Sequence, residues 1–86
     1  MSEEIRGEEL SYKLMSAVEE QIASSDTPYV KEQYERLLHE GETEVEAKRL
    51  IALCLADEVE EMQKESREFN VVRYKQLLEF LPVLPE

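Results

Sequence analysis

The sequence predicts an all-α fold, a small four-helix bundle built around a central helical hairpin. Three observations carry this. Apolar residues recur at helical spacing in four separate segments, and no segment alternates apolar and polar residues as a half-buried strand does. The connections are short and hold helix start and stop signals. The 86 residues leave room for one small domain, whose modest core favours help from a partner, a metal or a disulfide.

Residues 1–7 read as a flexible acidic N-terminus, because Gly7 and the surrounding charges offer no apolar face. Residues 8–86 then form a single helical domain ending in a short apolar tail, 82–86, that contains two prolines. The first helix is predicted over 8–23, where Leu10, Leu14, Val18 and Ile22 make one stripe with Met15 and Ala17 beside it. Ser24, Ser25, Asp26 and Thr27 break the chain. The second helix, 28–40, starts with Thr27 as cap and Pro28 in the first turn, and turns Val30, Tyr34, Leu37 and Leu38 inward.

Gly41 supplies a C-terminal stop, and Thr43-x-x-Glu46 opens the third helix, 44–66, as a capping box. Leu50 to Ala56 is an unbroken apolar run, so that half of the helix must be surrounded. Beyond it only Val59 and Met62 continue the stripe, with Asp57, Glu58, Glu60 and Glu61 assigned to water. Asn70 caps a fourth helix, 71–81, with Phe69 placed to staple against Tyr74 and with Val71, Tyr74, Leu77, Leu78 and Leu81 buried. Pro82 ends it.

Ten basic residues against twenty-one acidic ones give a net charge of −11, which repels nucleic-acid phosphate and anionic membranes alike. The acidic N-terminus is unlike a signal peptide, and no apolar stretch approaches the ~20 residues of a spanning helix. The sole cysteine, Cys54, lies in the apolar run and reads as a buried, inert thiol in a reducing compartment. The expected location is cytoplasmic.

Candidate chemistry is sparse. A di-iron bundle needs paired Glu-x-x-His motifs, and His39 is the only histidine; with Glu35 one turn before it, a solvated surface histidine is the commoner reading. All-helical nucleotide pyrophosphohydrolases of the MazG type hold magnesium with acidic pairs on two helices, and the chain offers Glu32-x-x-Glu35 and Glu58-x-x-Glu61. If the two helices fold back about residue 42, Glu35 faces residue 49, and Glu58 lies about 13 Å farther along at about 1.5 Å per residue. The hairpin also has a helix-turn-helix outline, but leucines follow Lys48 and Arg49 where a reading helix would face bases. Pro82-x-x-Pro85 matches a polyproline pattern without a flanking arginine. No cofactor is expected.

Val18-Glu19-x-Gln21, Pro28-x-Val30, Tyr34-Glu35-Arg36-Leu37-Leu38, Gly41, Glu46-Ala47, Ile51-Ala52, Glu58, Phe69 and Arg73-Tyr74 occur in this order over about residues 10–82. In this the chain resembles short bacterial proteins of an uncharacterised domain-of-unknown-function family. The resemblance implies histidines in relatives at positions held here by Met15, Val45 and Arg49, so any metal site they form is lost from this chain. Glu19 and Gln21 are expected to brace neighbouring helices, and Arg36 to pair with Glu32 or Glu40.

The expected function is that of a non-enzymatic protein–protein interaction module that self-associates as a two-fold homodimer, the metal-dependent hydrolase being the opposing class. Leu50, Leu53, Phe80, Leu81, Val83 and Leu84 are the interface candidates, because the third helix and the tail carry more apolar surface than so few helices can cover.

Overall fold

A computed structural model describes residues 3–85, with side chains from residue 12 onward. Four helices follow in order: α1 (Glu3–Ala23), α2 (Pro28–His39), α3 (Glu44–Glu65) and α4 (Val71–Phe80). α2 and α3 pack on each other, and each also packs on α1 and on α4, so the hairpin is the centre of the bundle. α1 starts five residues earlier than the sequence predicts. Glutamates in its first turn favour the positive end of the helix, and Gly7 within it costs only about 1 kcal/mol. Met1, Ser2, Glu86 and the side chain of Leu10 lie outside the described residues.

The core is Val18 of α1, Val30 and Leu37 of α2, Ala47, Leu50, Ile51, Ala52, Cys54 and Leu55 of α3, and Tyr74, Leu78 and Leu81 at the fourth helix and its end. The run from Leu50 to Ala56 is surrounded as its composition demands, except that Leu53 is 37 % exposed and Ala56 half-buried. Val71, expected inside, is exposed, as is Val72 beside it in the first turn of α4.

Two helix ends share one geometry. After α2 the amide of Glu42 donates to the Leu37 carbonyl and that of Gly41 to the Leu38 carbonyl, with Gly41 at φ 108°. After α3 the amide of Arg67 donates to the Met62 carbonyl and that of Ser66 to the Gln63 carbonyl, with Ser66 left-handed at φ 52°. Both are Schellman closures, which satisfy carbonyls that the helix leaves unpaired. Thr43 Oγ1 accepts from the Glu46 amide at 3.0 Å, and Asn70 Oδ1 from the Arg73 amide at 3.0 Å. Only half of the predicted capping box forms, since the Glu46 carboxylate binds Arg49 instead. Thr27 is a correction: its hydroxyl donates to the Gln21 carbonyl at 2.8 Å and closes α1, and its side chain accepts nothing from α2.

Candidate functional site

The most ordered chemistry in the molecule centres on Glu58, which the sequence assigned to water and which is 0 % exposed. Its place on α3 explains this: it lies seven residues after Ile51, four after Cys54 and three after Leu55, on the stripe that faces the core. Four donors surround it. Arg67 forms a two-toothed pair with both carboxylate oxygens at 2.7 and 3.2 Å, the Asn70 amide donates at 2.7 Å, and Arg73 Nη1 donates to Oε1 at 2.8 Å. The other Arg73 nitrogen holds Asp57 at 2.5 Å. The Arg67 guanidinium, helped by the Asn70 amide and Arg73, holds the Glu58 carboxyl down at about 2 against the opposing effect of burial. The two arginines are raised correspondingly, Arg67 by Glu58 and Glu65, and Arg73 by Asp57 and Glu58.

Local folding places each donor. The left-handed turn at Ser66 sends the chain back so that Arg67 reaches about two helical turns up α3 to Glu58. Asn70, capping α4, leaves its own amide pointing at Glu58 Oε2, and Arg73 sits in the first turn of α4. Each Glu58 oxygen therefore accepts two hydrogen bonds, and no acceptor face is left to coordinate a cation.

The remaining acidic candidates stay apart. Glu32 and Glu35 line a shallow depression with the corner between α1 and α2, and Glu61 stands beside Lys64 at 3.6 Å. Among the described residues no group of three or more His, Cys, Asp or Glu side chains is placed to hold a metal ion. His39 is exposed at the end of α2.

Three side chains quoted for the resemblance tie helices together. Gln21 Oε1 accepts from the Tyr74 hydroxyl at 2.7 Å, joining α1 to α4. Glu19 meets Lys48 of α3 at 3.5 Å. Arg36 pairs with Glu40 at 3.1 Å, not with Glu32, and also donates to Gln33 and to the Leu78 carbonyl at the end of α4. Tyr74 is the hub of the aromatic packing, with Phe69 at 5.4 Å and Tyr29 at 6.1 Å between ring centroids, both edge to face. The predicted staple is the first of these.

Of the interface candidates, Leu50 (4 % exposed) and Leu81 (2 %) belong to the core and are withdrawn from the surface. Both join the cluster formed with Val18 of α1, Val30 and Leu37 of α2 and Tyr74 and Leu78 of α4. Leu53, Phe80, Val83 and Leu84 are exposed, Phe80 and Val83 by 68 % each. The tail folds back toward α3, so that Leu84 and Pro85 share a depression of about 220 Å³ with Leu53, Ala56, Asp57 and Glu60. Sequence reasoning missed Arg67 as a partner of Glu58; the available signal was the helical register of Glu58 together with arginines nine and fifteen residues later.

Fold and site thus define a small all-α bundle with an internal ion cluster at one junction and with exposed apolar side chains on α3, the end of α4 and the tail. No family model, curated protein or solved structure matches the chain.

Proposed function

We propose that the protein is a non-enzymatic interaction module that self-associates through the patch formed by Leu53, Phe80, Val83 and Leu84. The observation that supports it best is the exposure of these four large apolar side chains on α3, the end of α4 and the tail, in a chain so rich in charge. Apolar surface left in water favours association, and a two-fold dimer is the commonest closed arrangement.

The net charge of −11 supports a protein partner over nucleic acid or an anionic membrane. No helix among the described residues is long and apolar enough to cross a membrane. A cytoplasmic setting fits the single buried thiol, and kinship with the short bacterial proteins of unknown function fits the shared hairpin residues. Sedimentation of the parent and of Leu53→Glu tests the reading. A dimeric parent and a folded, monomeric variant are expected, whereas a parent that is monomeric at high micromolar concentration overturns it.

A further inference from the structure

α4 is the shortest helix, ten residues, below the length at which a helix persists alone in water. Its apolar anchors are Tyr74, Leu78 and Leu81, and polar attachments run along its length, with the Tyr74 hydroxyl midway donating to Gln21 Oε1 of α1 at 2.7 Å. At its start stands the Glu58 cluster; at its end Arg36 of α2 donates to the Leu78 carbonyl at 3.1 Å. The other three helices pack against one another without it. The C-terminal depression is composite, with α3 supplying Leu53, Ala56, Asp57 and Glu60, and the tail beyond α4 supplying Leu84 and Pro85.

We propose that the Glu58 cluster is a clasp: α4 and the tail open from α1–α3 as one unit, and the apolar association surface is complete only while the clasp is closed. The second half rests on the association reading given above; the first half does not. The clasp acts as a threshold because its members depend on one another. Both arginines and the Asn70 amide come from the segment after α3, so any opening that removes one of them weakens the rest. Once the segment leaves, the carboxylate regains water and no partial contact is retained.

Cys54 supplies an internal probe. It is fully buried on α3, the helix on which α4 packs, in the same apolar core as Tyr74 and Leu78. The experiment combines amide hydrogen exchange, reaction of Cys54 with an aromatic disulfide reagent, and sedimentation, on the parent, Glu58→Gln and Arg73→Gln. In both variants amides of residues 71–81 and the Cys54 thiol are expected to react at least about tenfold faster, while amides of α2 and the first half of α3 change less than about threefold. Acceleration of all four helices together, or of none, overturns the clasp. Should Glu58→Gln fail to fold, Arg73→Gln decides alone, since it leaves Arg67 and the Asn70 amide on Glu58. A monomeric parent removes the association reading and leaves exchange to judge the clasp. A dimeric parent whose affinity is unchanged in variants with an opened α4 overturns the gating.

Discussion

The turns on either side of α3 close their helices with the same hydrogen bonds and are held in unlike ways. At the α2–α3 turn, Gly41 takes the left-handed conformation that lacks a steric penalty, nothing lies within 4 Å of where its Cβ would be, and Thr43 starts the next helix. Everything needed lies within a few residues. At the α3–α4 turn a serine takes the left-handed position, and the segment is fixed by a carboxylate on the previous helix that binds residues nine, twelve and fifteen positions away. One junction is local and neutral; the other is non-local and charged. A turn can thus be specified by backbone preference or by an internal ion cluster, and the two should respond differently to mutation, acid and salt.

The largest expected contrast is between Glu58→Ala and Thr43→Ala. Glu58→Ala removes all four hydrogen bonds at the centre of the cluster, with Arg67 keeping only Glu65 and Arg73 only Asp57 among carboxylates, and should cost more than the about 1 kcal/mol of a lost cap. Urea unfolding followed by circular dichroism measures both, and comparable losses would erase the distinction. Joint replacement of Glu58, Arg67 and Arg73 by apolar residues of similar length should cost less than Arg67→Ala alone, since the buried carboxylate is removed together with its donors and only the partly exposed Asp57 and Glu65 lose a partner.

Acid should act at the same junction. The Glu58 carboxyl is lowered from 4.5 to about 2 by folding, so its contribution to stability is complete above the unfolded value and is lost as pH falls from 4.5 towards 2. The stability difference between parent and Glu58→Gln should accordingly shrink across that window in urea titrations, while the difference between parent and Thr43→Ala stays constant. Burial pushes the Cys54 thiol up to about 12, with Asp57 adding to the shift. At pH 8 the native thiol should therefore react with a disulfide reagent orders of magnitude more slowly than the denatured one. Fast native reaction would mean that α4 does not cover α3.

Smaller effects sharpen the comparison. Tyr74→Phe removes the bond to Gln21 and should cost about 1 kcal/mol in the same unfolding assay. Ser66→Gly should stabilise the protein by a few tenths of a kcal/mol to about 1 kcal/mol by relieving the left-handed serine, whereas Gly41→Ser should destabilise it by a similar amount. A destabilising Ser66→Gly would indicate that the serine side chain itself supports the turn.

The sequence makes the local junction legible and the other only in part. The bounds of α2, α3 and α4 follow from Pro28, Gly41, Thr43, Asn70 and Pro82, because caps and breakers act on neighbouring backbone. The contact of Phe69 with Tyr74 is legible for the same reason, being a relation across one helical turn. Glu58 was misplaced because acidity was read as solvent-facing, although its register with Ile51, Cys54 and Leu55 points inward; only the arrival of two arginines from beyond the turn makes that position tolerable. Thr27 was read as an acceptor, and the nearby end of α1 offered it a carbonyl instead. Leu50 and Leu81 fit both the buried stripes and the interface candidates, because pattern alone cannot tell which side of an all-round apolar segment the remaining helices will cover; the fold places both in the core.

The ion cluster also limits how this chain can change over time. Loss of either arginine leaves the buried Glu58 anion short of donors, and loss of Glu58 leaves Arg67 with only Glu65 and Arg73 with only Asp57, so each single step costs more than the joint replacement by apolar residues. Positions 58, 67 and 73 are therefore expected to vary together among any descendants of this sequence, with intermediates depleted, whereas Gly41 and Thr43 can drift independently of each other.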